Sequence, residues 1–282
     1  LTAFAHLWLK PKVGTDVALL NGLARLIITE GLLDEEFVTR RTDNFEVFRR
    51  SLETFTLELA EGITGVSSQD LRTAAEVFAT ANRASIVFGK GVTQHLNGTD
   101  AVMALANLAM LTGNIGHGSG GIYALQGDSN GLGACDMGVL PSFLPGYQLA
   151  EDPQTLKRFA DIWGKCDPTG AGLTALEMIE QVMEGRIKAM YIVGENPAAA
   201  FPRPTLVKEA LGSLNFLVVQ DIFLTETARL ATVVLPAASF AEKEGTFTNL
   251  EGRVQRLQKV IGPVGQSLPD WEIILRLAKM MG

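Results

Sequence analysis

The chain has 282 residues, 47% of them hydrophobic and 20% charged, with a formal net charge of −7. That is ample apolar material for two domains or one lobed unit, and it excludes a disordered chain. No basic tract interleaved with aromatics appears, so nucleic acid is excluded as a partner, and apolar runs such as 101–111 are too short to span a bilayer. Two cysteines, Cys135 and Cys166, exclude a disulfide framework, and His6, His95 and His117 show no metal-ligand spacing, so no residue is assigned to a metal. The first ten residues, LTAFAHLWLK, lack a basic n-region and a cleavage site. With so few cysteines, this predicts a cytoplasmic, reducing compartment. The opening Leu and the closing LAKMMG read as the edges of a piece of something longer.

In chain order, TDVALLNGLARLIITE at 15–30 has apolar residues at helical spacing, a Thr N-cap and Gly31 as a stop. A second capped helix is predicted over 67–80, a short strand over 84–88, and a strongly apolar helix over 100–111. From Gly113 to Gly138 the texture changes: nine glycines in twenty-six residues, with neither a strand nor a helix period. A polar helix is predicted near 153–162. Then strands and helices alternate: strand 189–193, helix 205–211, strand 216–219, helix 225–230, strand 232–235. Such alternation predicts parallel βαβ units with both sheet faces covered. Residues 238–264 read as loop, and 269–281 as an amphipathic helix. The fold class predicted is therefore α/β.

In an open parallel sheet, ligands bind beyond the carboxyl ends of the strands. The residues predicted to sit there are Gly89-Lys90-Gly91-Val92-Thr93-Gln94, Gly194-Glu195-Asn196-Pro197 and Gln220-Asp221. Glycines let a backbone approach a ligand, and free N–H groups at helix starts attract an anion. Glu195, Asn196 and Asp221 suit ribose hydroxyls or a purine edge. Together they describe a nucleotide-bearing ligand held between two lobes. Each position also has a plain reading: an ordinary turn at Gly89 or Gly194, a helix cap at Asp221, a solvated side chain at Lys90. Cys135 and Cys166 read as small packed residues, with no neighbouring His to activate them.

The collinear stretches GTDVALLNGLARLIITEGLLDEEFV, ITGVSSQDLRTAAEVFA, FGKGVTQHLNGTDAVMALANLAMLTGNIG, NGLGACDMGVLPSFLPGYQ, YIVGENPA, VVQDIFLTETARLATVVLPAASFAEKEGTFTNLEGRVQR and DWEIILRLA span almost the whole chain. In these the chain resembles the molybdopterin-guanine-dinucleotide oxidoreductases, formate dehydrogenase catalytic subunits above all. The resemblance implies an incomplete fragment of two pseudo-symmetric α/β lobes with parallel sheets flanked by helices. Residues 1–128 would be part of the first lobe, 129–240 part of the second, and 241–282 a return segment toward an iron–sulfur domain. It implies a bis-molybdopterin guanine dinucleotide with Mo or W in the full-length protein, an iron–sulfur cluster upstream, and partner subunits with iron–sulfur or flavin centres. It assigns Gly89, Gly91 and Gln94 to one dinucleotide, and Gly194, Glu195, Asn196, Gln220, Asp221 and Thr225 to the other.

Two departures from the family pattern stand out. Formate dehydrogenases carry arginine at the position of Gln126, followed by glycine, as at Gly127. A neutral glutamine there would weaken binding of an anionic substrate. The family commonly has an acidic residue where Thr232 stands. The resemblance implies oxidation of formate to carbon dioxide with electrons passed to iron–sulfur clusters. The alternative, favoured by Gln126, is a non-catalytic redox scaffold like the large iron–sulfur subunit of NADH–quinone oxidoreductase.

Overall fold

The computed structural model describes residues 2–116, 120–164 and 171–282; His117 and Cys166 lie outside them. The chain divides into two compact units, one ending at Asp128 and the other beginning at Ser129.

The first unit opens with helices α1 (Asp16–Thr29), α2 (Glu35–Arg41), α3 (Phe45–Ser51), α4 (Leu57–Thr64) and α5 (Ser68–Thr80). Strand β1 (Ser85–Phe88), the single turn α6 (Lys90–Thr93), helix α7 (Gly98–Leu111) and strand β2 (Gly121–Ala124) follow. Helix α1 begins where its periodicity predicts, but Thr15 does not cap it by side chain; the hydroxyl donates to the Lys12 carbonyl at 2.6 Å instead. At α5 the expected cap is present: Ser67 Oγ accepts the Asp70 N–H at 3.1 Å. Leu20, Ala24 and Ile27 of α1 meet Ala60 of α4, Leu71 and Ala75 of α5, and Leu105 and Leu108 of α7 in one core. Gly22 lets α1 and α4 approach closely, since a Cβ there would stand 2.9 Å from that of Ala60.

Strands β1 and β2 are parallel, with Ser85 opposite Gly121 and Phe88 opposite Ala124. Ile86 and Phe88 pack on the helical core, whereas Val87 and Tyr123 remain 59% and 37% exposed. The helices of this unit gather on the Ile86 side.

The second unit starts with α8 (Gly131–Asp136), a minimal hairpin of β3 (Phe143–Leu144) and β4 (Gln148–Leu149), and α9 (Pro153–Trp163). Helix α10 (Ala175–Met183), strand β5 (Ala189–Val193), the turn α11 (Pro197–Ala200), helix α12 (Pro204–Ser213) and strand β6 (Phe216–Asp221) come next. Strand β7 (Val233–Pro236), the hairpin β8 (Gly245–Thr248) and β9 (Val254–Leu257), and helix α13 (Asp270–Met281) complete it. Strands β5, β6 and β7 form a parallel sheet in that order. Ile179, Val182, Val207, Ala210 and Leu211 of α10 and α12 pack with Ile192, Leu217 and Val219 of the sheet. On the opposite face, Tyr191, Phe216, Val218, Val233 and Leu235 line an open apolar groove with Leu277 and Met281 of α13.

Two expectations need correction and a third needs a supplement. Residues 113–138 show no period, as expected, yet β2 and α8 lie within them, both too short to show one. Residues 225–230 hold only a 3-10 turn at Ala228–Leu230. The segment 238–264 contains the β8–β9 hairpin, whose strands pair antiparallel from Gly245–Leu257 to Thr248–Val254.

Candidate functional site

In the first unit the predicted residues gather where β1 and β2 end. Leu125 N–H donates to the Phe88 carbonyl at 2.7 Å, so the chain leaves both strands side by side. Gly89 has extended backbone, and a Cβ on it would make only an ordinary contact, 3.7 Å from the Leu125 carbonyl oxygen. Gly91 faces open space, with no atom of the described residues within 4 Å of where a Cβ would stand. Gln94 closes the α6 turn, its N–H donating to the Lys90 carbonyl at 2.9 Å, and its side chain is exposed. Gln126 is exposed beside Gly127. Lys90 is solvated as expected, its side chain 54% exposed, and its stem lies across Gly127, where a Cβ would stand 2.5 Å from Nζ. The ammonium is 3.8 Å from Asp128 Oδ2, a loose and exposed pair of little energetic weight.

In the second unit the loops after β5 and β6 meet. Gly194 adopts φ of +65°, a left-handed conformation that glycine accepts without cost, and its N–H reaches the Gln220 carbonyl at 2.8 Å. Among the described residues, nothing lies within 4 Å of where a Cβ on it would stand. Glu195 is exposed, and its carboxylate accepts the Asn196 N–H at 2.9 Å. Asn196 joins the two loops. Its Oδ1 accepts from the Thr227 N–H and hydroxyl, and its Nδ2 donates to Glu226 at 2.8 Å. That hydrogen bond is the largest of the effects holding the Glu226 carboxyl below its ordinary value. Asp221 ends β6 and accepts the Phe223 N–H at 3.1 Å; Thr225 Oγ1 accepts the Ala228 N–H at 3.2 Å.

Gln220 departs from its sequence reading. It is a strand residue with 0% exposure rather than a loop residue. Its amide accepts from the Tyr191 hydroxyl and donates to Asp270 Oδ1 at 2.6 Å, and Asp270 is also paired with Lys243. Burial, then the Asp270 charge, raises the Tyr191 pKa. The Gln220 side chain therefore supports the loops from beneath.

Sequence reasoning missed Glu226 and Thr227, which lie about thirty residues from Asn196; an N-cap pattern at Thr225 was their only local signal. Among the described residues, no group of three or more His, Cys, Asp or Glu is placed to hold a metal ion, and no helix is long and apolar enough to cross a membrane.

Parallel strands ending in glycine turns, with carboxylates and amides clustered beyond them, define an α/β protein of the class whose ligand sites lie at the strand ends. The chain belongs to the molybdopterin oxidoreductase family, whose sequence profile matches residues 2–280. It is 49% identical over 269 residues to the F420-dependent formate dehydrogenase subunit alpha of Methanocaldococcus jannaschii, covering 95% of this chain and 40% of that protein. Formate dehydrogenase H of Escherichia coli is 42% identical over 272 residues, covering 96% of this chain and 38% of that one. The assimilatory nitrate reductase catalytic subunit of Bacillus subtilis is 39% identical over 283 residues, covering all of this chain and 40% of that protein. The chain thus spans about two fifths of the length of these relatives. Among solved structures, acetylene hydratase from Pelobacter acetylenicus superposes with a TM-score of 0.77 at 24% identity, over 99% of this chain and 41% of that one. At that identity the likeness extends to the fold alone.

Proposed function

We propose that this chain is part of a molybdopterin-dependent oxidoreductase that converts formate to carbon dioxide, removing two electrons and one proton. The observation that carries the reading is the 49% identity, over 95% of the chain, to an archaeal formate dehydrogenase alpha subunit. The cofactor fits the residues present. Gly91 and Gly194 leave open space where side chains would otherwise stand, and Glu195 and Asp221 offer carboxylate acceptors for sugar or base donors. Gly89, Gly91, Gln94 and Gly127 would hold one guanine dinucleotide. Gly194, Glu195, Asn196, Asp221 and Thr225 would hold the other, with Gln220 bracing their loops.

When bound, the metal–pterin group supplies the redox chemistry; the chain orients it and shapes the approach to it. Electrons would leave through iron–sulfur centres, one upstream in the same polypeptide and others, or a flavin, in partner subunits of a cytoplasmic complex. The purified full-length polypeptide is expected to contain Mo or W and to reduce a viologen dye when given formate. Absence of both metals, and of pterin fluorescence after oxidation, would overturn the reading.

Gln126 favours a second reading, a redox scaffold without turnover. A full-length protein that carries iron–sulfur clusters but neither metal nor pterin would establish it.

A further inference from the structure

We propose that Lys90 is the residue that recognises the charge of a small anionic substrate, its ammonium and the amide of Gln126 forming the two sides of an oxyanion seat where β1 and β2 end. The inference rests on the formate-type reading given above.

The geometry begins in the parallel pairing of β1 and β2, which ends at Phe88 opposite Ala124. The hydrogen bond from Leu125 N–H to the Phe88 carbonyl carries the two segments one step further. Residues 89–90 and 126–127 therefore emerge together, and the Lys90 side chain turns back across Gly127. This position depends on the missing side chain at 127, since a Cβ there would stand 2.5 Å from Nζ. The Lys90 stem thus lies over Gly127, the neighbour of Gln126 in sequence, with its side chain 54% exposed.

The charge at this position is weakly compensated. Among the described residues only Asp128 brings a carboxylate within 4.0 Å of the Lys90 ammonium, at 3.8 Å, with its side chain 84% exposed. A pair that long and that wet is readily exchanged for a ligand. The ammonium offers a compact full charge with three donors, and the Gln126 amide adds two more donors and no charge. No described residue comes within 4 Å of where a Cβ on Gly91 would stand, on the other side of Lys90 in sequence. A planar monoanion is the ligand such a pair suits: two oxygens, one for the ammonium and one for the amide.

The test uses the purified full-length polypeptide with Lys90→Met and Lys90→Arg. In dye-coupled formate oxidation, Lys90→Met should raise KM at least fivefold with kcat changed less than twofold, and Lys90→Arg should return KM to within threefold of the parent. A smaller rise in KM, or no rescue by arginine, overturns the proposal. Titration of nitrate, a planar monoanion, into the resting protein by calorimetry reads the same seat without turnover, and Lys90→Met should weaken it at least fivefold. If the parent does not oxidise formate, the formate reading fails, and the nitrate titration still decides the role of Lys90. A loss of Mo or W from Lys90→Met would assign the lysine to cofactor retention and overturn substrate recognition.

Discussion

Asn196 Oδ1 accepts both the backbone N–H of Thr227, at 3.1 Å, and its hydroxyl, at 2.7 Å, although thirty-one positions separate the two residues. Thr227 has 0% exposure, and its hydroxyl oxygen in turn accepts the Ala198 N–H at 3.1 Å. Removing the Asn196 amide would strand two buried donors, at a cost of about 1–3 kcal/mol. Asn196→Ala should therefore speed hydrogen exchange at the Thr227 amide about tenfold or more, with helix α5 in the first unit unaffected. Unchanged protection at Thr227 would show that the loops are held by packing alone.

Two glycines predict opposite responses to alanine. Gly62 lies within α4, and an added Cβ there meets nothing within 4 Å. Gly62→Ala should stabilise by roughly 0.8–1 kcal/mol, the helix-propensity difference. Gly138 has φ of +83°, and a Cβ would stand 2.8 Å from the Pro145 nitrogen. Gly138→Ala should destabilise by about 2 kcal/mol or more, from left-handed strain plus the clash. Thermal midpoints of the two variants should move to opposite sides of the parent value.

Acid should loosen several turns at once. Glu58, Glu177, Glu226 and Glu242 lie below their ordinary value of 4.5, and Asp152 below 3.8, each through hydrogen bonds that favour its charged form. In the window beneath those ordinary values the unfolded chain binds more protons than the folded one. The stabilisation is thus complete above about pH 4.5 and declines as pH falls through the lowered values. Glu177 and Glu242 belong to capping boxes with Thr174 and Ser239. The double variant Glu177→Gln and Glu242→Gln, which keeps an acceptor but does not titrate, should show a shallower loss of helical signal between pH 5 and pH 3. An identical acid profile would refute the assignment.

The Tyr191 phenol should ionise above its ordinary value of 10, with burial the larger cause and the Asp270 charge the smaller. Asp270→Asn should lower its midpoint only part of the way back. Ultraviolet difference titration against Tyr191→Phe isolates this phenol. A full return to the ordinary value would mean that the charge, not burial, dominates.

Much of this architecture was legible because the long helices carry strong periodicity. Helices over 16–29, 68–80 and 98–111, and strands over 85–88, 189–193 and 216–221, fall where alternation and caps place them. The hairpin at 245–257 was not legible, since Val254 and Arg256 are exposed and its strands bear little apolar alternation. Helix α10 carried a readable sign in Thr174 and Glu177. At the candidate site, strand ends could be recognised from GEN and QD, but which side chains face outward could not. Gln220 faces inward because Asp270, fifty positions later, completes its hydrogen bonds. Partners so remote leave no local trace.

The glycine-rich segment also bears on the order in which the second unit is made. Asn130 Oδ1 accepts the Thr248 N–H at 2.9 Å across 118 positions, tying α8 to the hairpin. A ribosome adding about 5–20 residues per second delivers Thr248 roughly 6–24 s after Asn130. Through that interval Asn130 waits for its partner. The tie between α8 and the hairpin therefore forms only after that interval, later in synthesis than the local contacts of α8 itself.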